Sequence, residues 1–366
     1  MSLTSFIKQP EIATKLQRLH SGLLRQRNTN QRAHEDGHQS LIVLNDQTYR
    51  VVRRLDTWCG LADGSDWRIL TADGERIPIK VEPLSKHYPL IGTAFDYLLR
   101  FELQRRAPHA ILRPWVAEEA VDRSAGTVTE EWRNSQFCIT LAPNEYPPEG
   151  AIPADDDGKV WIDGDKVTRH ISAVLKNAKS AVASYSRKKR PTATEQATLA
   201  AHAIRLAKLD TVCRTPQLAP DFESAASEDI QDLVDLLAIV PFNDLLHNEV
   251  LLLNPTFGET SRMVGGADAD LIIGDMLVDI KTTKSDTIKS EYINQLLGYF
   301  LLARKERNSD KMFPVISRLG LYYSRYGYLY SFEASAWMEH PAFAETEEWF
   351  FTNIKQLNRD MRTHNV

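Results

Sequence analysis

Apolar and polar positions along the chain follow two periods. Ile12, Leu16, Leu19 and Leu23 recur at helical spacing and predict an amphipathic helix, which the polar stretch 26–39 ends. Alternating segments at 41–44, 49–55, 67–70 and 77–81, with Asp73-Gly74 as a turn, predict a small antiparallel β unit. Pro89 opens a helix that carries Ile91, Phe95, Leu98 and Glu102 on one stripe. Residues 110–167, rich in Pro, Gly and aromatics such as Trp115, Trp132 and Trp161, predict irregular structure with short strands. Helical patterns return over 167–184, 193–211 and 228–239. After these come an apolar strand at 250–253, the turn Asn254-Pro255 and a hairpin. A helix through Gln295, strands at 316–323 and 328–332 around Tyr326-Gly327, and a closing helix with Trp349, Phe350, Ile354 and Leu357 complete the chain.

The hairpin carries the chemistry. Its sequence over 265–281 is GGADADLIIGDMLVDIK, in which Gly274-Asp275 is a two-residue spacer of the kind that closes a tight turn. With that turn, Ile273 opposes Met276, Asp270 opposes Asp279 and Asp268 opposes Lys281, all four charged residues on one face. Opposed Cβ atoms lie about 5 Å apart, so two carboxylates there repel by roughly 3 kcal/mol at an effective dielectric of ~20. Such a pair calls for a proton, a neighbouring cation or a bound divalent metal. Hard oxygen ligands beside a lysine suit Mg²⁺ or Mn²⁺. Asp279 and Lys281 are expected to face a wet cleft.

The ordered set Asp270, then Asp279-Ile280-Lys281, resembles the motif of the PD-(D/E)XK nuclease superfamily, with Ala269 where the family name has its proline. Gln295 and Tyr299, at i and i+4 on the next helix, are similar to the Gln-x-x-x-Tyr helix of the RecB-type branch. The resemblance covers roughly residues 240–335. It implies that Asp270, Asp279 and the Ile280 carbonyl hold Mg²⁺ or Mn²⁺ and that Lys281 orients water or stabilises phosphorane charge. Gln295 and Tyr299 would then serve the phosphate or Lys281. Asp268 reads as the ion-pair partner of Lys281, or else as a second metal ligand.

Two acids compete for the first motif. Glu102 lies on an otherwise apolar stripe, where a carboxylate is costly unless paired or bound; it either joins the metal or reaches water at the helix end. Glu249, close upstream of the hairpin, is its rival. The Gly92-Thr93 opening of the Pro89 helix resembles a RecB-type first motif, but Asp96 and Arg100 stand where that motif has its His and Glu, and read more simply as an ion pair. Arg187, Lys188, Lys189 and Arg190 form a basic run before Pro191 that could contact phosphates or serve as a solvated linker. Asp155, Asp156 and Asp157 lack the other ligands of an EF-hand loop and read as a solvated turn.

Composition narrows the class without choosing it. The 366 residues are 43% hydrophobic and 25% charged, which is the profile of a globular protein. No apolar run approaches the roughly 18 residues of a membrane span, so a cytoplasmic protein without membrane contact is expected. Cys59, Cys138 and Cys213 are odd in number and far apart, arguing for reduced thiols. A net charge of −5 requires any nucleic-acid contact to come from a local patch. No Walker loop and no repeat is present.

These readings predict an α/β (α+β) protein in three segments: 1–88, an N-terminal helix and small β unit; 89–239, the first-motif helix with an irregular and helical insertion; and 240–366, a restriction-endonuclease-like core of mixed β-sheet flanked by helices, with a C-terminal helix. The expected activity is metal-dependent hydrolysis of nucleic acid, DNA in preference to RNA, in defence or repair. The alternative is a non-catalytic nuclease-fold subunit that binds nucleic acid or a protein partner. The flanking segments are expected to supply target choice or partner docking.

Overall fold

A computed structural model describes residues 3–19, 40–44, 47–53, 67–71, 77–118, 136–140, 152–153, 159–214, 219, 221–246 and 250–364. The chain forms two compact units, Met1–Lys80 with Pro241–Val366, and Val81–Val240. In chain order the strands are β1 (Ser40–Leu44), β2 (Gln47–Arg53), β3 (Trp67–Thr71), β4 (Ile111–Leu112), β5 (Gln136–Thr140), β6 (Ile152–Pro153), β7 (Lys159–Asp163), β8 (Leu251–Leu253), β9 (Leu271–Ile273), β10 (Met276–Lys281), β11 (Thr287–Ile288), β12 (Arg318–Tyr323) and β13 (Tyr328–Glu333).

The first unit holds the hairpin. Five of its strands run β13-β12-β10-β9-β8, with β10 parallel to β12 and the other neighbours antiparallel, so the sheet is mixed. Gly274 closes the β9-β10 turn with φ +61, a conformation that glycine adopts without a Cβ clash. The paired residues are the expected ones: Ile273 with Met276, Ile272 with Leu277 and Leu271 with Val278. Asp275 ties the turn to β12 by accepting from Arg318 Nε at 3.0 Å and Nη2 at 2.6 Å. β10 lies between β9 and β12, and its run Met276 to Asp279 is buried without a break. Such an uninterrupted run marks a strand covered on both faces.

Helix Ser290–Ser309 packs against this sheet, and helix Phe343–His364 adds Phe350 and Ile354 to the same core. The three-segment division differs here, because residues before 81 share a unit with the C-terminal core. Helices Leu3–Ile7 and Pro10–Gln17 place Leu3, Phe6, Ile7, Ile12 and Leu16 in that core. Leu3 and Ile7 lie so close to Gly298 that a Cβ there would meet Leu3 Cδ1 at 3.3 Å. Phe6 meets Phe350 edge to face, with ring centroids 5.3 Å apart. An apolar helix face has to be buried against something, and the partner lies far along the sequence. The expected helix over 12–23 is thus a short helix pair, with Leu19 also buried and Leu23 outside the described residues.

A second sheet of this unit runs β1-β2-β3-β11 and is antiparallel throughout. Three of the four segments expected in the N-terminal β unit are its strands. The fourth, 77–81, is not a strand: its Lys80 N–H donates to the Arg325 carbonyl instead, and the sheet closes on β11. Alternation marks a segment with one buried face, and Ile77 and Val81 are buried without a ladder.

The other unit is built around helix Tyr88–Arg106, which has Pro89 in its first turn. Helices Gly164–Ser186, Ala193–Arg214 and Ser227–Ala238 complete it, with the antiparallel sheet β5-β7-β6. Tyr97 donates to Asp210 at 2.6 Å, both buried, while its ring lies against Trp115. The protein is therefore a mixed α/β chain. Among the described residues no helix is long and apolar enough to cross a membrane.

Candidate active site

The hairpin opens where its acids begin. Beyond the Leu271-Val278 pair, β9 leaves β10 and continues beside the chain that follows β8. Asn254 N–H donates to the Asp270 carbonyl at 2.9 Å, Ala269 N–H donates to the Pro255 carbonyl at 3.0 Å, and Thr256 bridges Asp268. Asn254 supports this continuation at φ +54, a left-handed conformation that asparagine tolerates. The expected opposition of Asp268 to Lys281 is therefore not formed, because pairing to the third strand prevails over the hairpin register.

Asp270 spans the opening. Its Oδ2 accepts the backbone N–H of Ile280 at 2.5 Å, so a side chain takes a ladder bond that β9 no longer supplies. Asp279, one residue earlier on β10, is 2% exposed, which corrects the expected wet cleft at this position. Lys281 lies 2.5 Å from Asp279 Oδ2, and this ion pair replaces the one expected with Asp268. That contact lies outside hydrogen-bond geometry, and Asp279 Oδ2 has no hydrogen-bond partner.

Helix Ser290–Ser309 completes the group from one stripe. Gln295 Oε1 accepts from Lys281 Nζ at 2.9 Å, and Gln295 Nε2 donates to the Tyr299 hydroxyl at 2.9 Å. Tyr299 is buried, with its ring stacked on Phe257 at 5.8 Å. Tyr292, one turn before Gln295, sets its ring 4.7 Å from Lys281 Nζ. Sequence reasoning missed Tyr292, although positions 292, 295 and 299 share the i, i+3, i+7 spacing of one helix face.

The electrostatics follow from burial and charge. Burial pushes the Asp279 carboxyl above the usual carboxylate range, and the Lys281 ammonium opposes that shift without cancelling it. Burial works to lower Lys281, but Asp279, then Asp270 and Tyr292, outweigh it and hold the ammonium above the usual lysine value. Tyr299 is raised by burial first and then by Asp279, Asp270 and Asp268, so all three acids are felt at one hydroxyl. Lys281 is thus a cation in the resting arrangement, and Tyr299 is a neutral phenol.

The remaining candidates fall elsewhere. Glu102 is 1% exposed and neither reaches water nor offers an open ligand face. Arg105 donates to it at 2.9 and 2.6 Å, Arg106 at 2.6 Å and the Tyr185 hydroxyl at 2.9 Å. Charge-assisted bonds of this kind satisfy the carboxylate without metal. Asp96 and Arg100 form the expected pair at 2.5 Å. Glu249 and the Asp155, Asp156 and Asp157 cluster lie outside the described residues.

Arg187, Lys188, Lys189 and Arg190 are exposed between two helices. Lys188 pairs with Glu195 at 2.9 Å, and Arg105 holds the Lys188 and Lys189 carbonyls at 2.9 and 3.1 Å. Comparison of the chain with protein-family models, curated proteins and solved structures finds no match.

Proposed function

We propose that this chain is a Mg²⁺- or Mn²⁺-dependent nuclease of the PD-(D/E)XK type, RecB-like, with a restriction-endonuclease-like core. Its substrate is nucleic acid, DNA in preference to RNA, and its setting is defence or repair. The reading rests on one observation above the others: Lys281 lies between Asp279 and Gln295, with Asp270 bonded to the next residue of the same strand.

The residues fit a divalent ion. Asp279 presents a buried carboxylate whose Oδ2 is paired with the Lys281 ammonium but makes no hydrogen bond, and Asp270 would be the second hard ligand. Among the described residues no group of three or more His, Cys, Asp or Glu side chains is placed to hold a metal. The ion proposed here relies on two carboxylates only, as Mg²⁺ can, since it is held by one or two carboxylates and keeps several waters. Asp270, Asp279 and the Ile280 carbonyl would hold the ion, which supplies Lewis acidity toward a phosphoryl oxygen and a lowered pKa for the attacking water.

Lys281, a fixed ammonium, stabilises the negative charge that develops on the pentavalent phosphorus. Gln295 orients that ammonium and is itself oriented by Tyr299. The test is incubation of single- and double-stranded DNA and of RNA with the protein and Mn²⁺. Cleavage that a chelator abolishes and that Lys281→Ala and Asp279→Ala lack is expected, with melting curves to show that both variants are folded at the assay temperature. Cleavage indifferent to chelator or to both substitutions overturns the assignment.

A second reading has its own observation: Asp279 is already neutralised by Lys281 and buried, as in a nuclease fold that serves only for binding nucleic acid or a protein partner. Calorimetry with Mn²⁺ separates the two, since DNA binding without any metal binding favours the second.

A further inference from the structure

Lys281 is a flexible side chain with three donors on a rotatable ammonium. One donor bonds Gln295 Oε1 at 2.9 Å, and Asp279 Oδ2 lies 2.5 Å away as an ion-pair partner. The Tyr292 ring stands against the same ammonium, 4.7 Å from Nζ to centroid, within the range of a cation–π contact. Tyr292 is half-buried, and its ring also has the exposed Lys289 ammonium 5.8 Å away. Its ring is therefore shared by the inner cation and a second one at the surface.

We propose that Tyr292 is a positioning residue for the Lys281 ammonium, acting through the face of its ring. The claim rests on the nuclease reading only for its kinetic consequence. One helical stripe then performs three linked tasks: Tyr292 confines the ammonium, Gln295 bonds it, and Tyr299 fixes Gln295. Without the ring, the ammonium keeps its two oxygen partners but gains room to rotate away from the reacting phosphate. The ring face carries this role, so phenylalanine should replace tyrosine and an aliphatic side chain of similar bulk should not.

The experiment compares Tyr292→Leu with Tyr292→Phe in the full chain, with melting curves to show that both fold. In Mn²⁺-dependent cleavage, Tyr292→Leu should lower kcat roughly three- to thirtyfold with little change in KM, the factor expected of one cation–π contact. Tyr292→Phe should recover most of that loss. A second readout does not need catalysis: the rate at which an amine-selective acylating reagent labels Lys281, followed by mass spectrometry. Labelling should rise severalfold in Tyr292→Leu and stay near the wild-type rate in Tyr292→Phe. Faster labelling in Tyr292→Leu alone, in a protein that cleaves nothing, upholds the positioning role while the nuclease reading fails. Equal labelling in all three proteins, or a Phe variant as impaired as the Leu variant, overturns the positioning role.

Discussion

Asp270 bonds the backbone N–H of Ile280 at 2.5 Å, and so closes with a side chain the gap left where β9 parts from β10. This bond gives Asp270 a structural task that can be separated from any chemical one. Asp270→Ala leaves a donor unsatisfied and should destabilise the fold by about 1–3 kcal/mol. Asp270→Asn keeps an oxygen at the same place and should cost much less, yet removes the charge that the proposed metal would need. Melting in chelator should rank wild type near Asn and above Ala, with Mn²⁺-dependent cleavage lost in both variants. An Asn variant as unstable as the Ala variant would show that the bond does not hold the opening together.

Asp279 and Lys281 form a buried pair, so their replacement cannot be structurally silent. Removing one partner of a buried ion pair costs about 3–5 kcal/mol. Asp279→Leu and Lys281→Met should each lower the urea midpoint, and the double variant should be more stable than either single one. A double variant as unstable as the sum of the two would mean that the charges are not coupled.

Acid should act on the Val81–Val240 unit through Glu102. Burial works to raise this carboxyl, but Arg105, Arg106 and Tyr185 together outweigh it and hold it below its usual value of 4.5. Since the folded value is depressed, the stability contributed is complete above pH 4.5 and disappears as the pH falls through the folded value. Glu102→Gln should be less stable than wild type at pH 7, and the gap should narrow as the pH is lowered below 4.5. Chemical denaturation at a series of pH values measures this, and a gap independent of pH would contradict it.

Removing residues 1–19 should prevent folding of the unit that holds the hairpin. Leu3, Phe6, Ile7, Ile12, Leu16 and Leu19 are all buried in its core. At about 1.5–3 kcal/mol for each fully buried apolar side chain, their loss is comparable to a typical total stability of about 5–15 kcal/mol. The shortened chain should be insoluble or lack a cooperative melt. A soluble, cooperatively melting product would show that the core closes without this segment.

The local parts of the site were legible, and the reason is geometric. A glycine turn and a period of two fix the β9-β10 register, and a period of 3.6 puts Gln295 and Tyr299 on one face. What failed depended on partners distant in sequence. Asp268 turns to Thr256 because β8 competes with β10 for the same stretch of chain. Asp279 is buried because β10 is a central strand covered on both faces, and the run Met276 to Ile280, apolar apart from Asp279, carried that signal. The N-terminal helices read as a separate flank because nothing in their own pattern names Gly298 as the surface they cover.

That last packing has a consequence during synthesis. Leu3, Phe6 and Ile7 are synthesised before the Val81–Val240 unit, but the helix they cover is made only after the whole of it. The later-encoded unit can therefore fold before the earlier one, while an apolar segment waits in water for its complement. Nascent chains of this protein should engage a chaperone early and release it only when the Ser290–Ser309 segment has emerged.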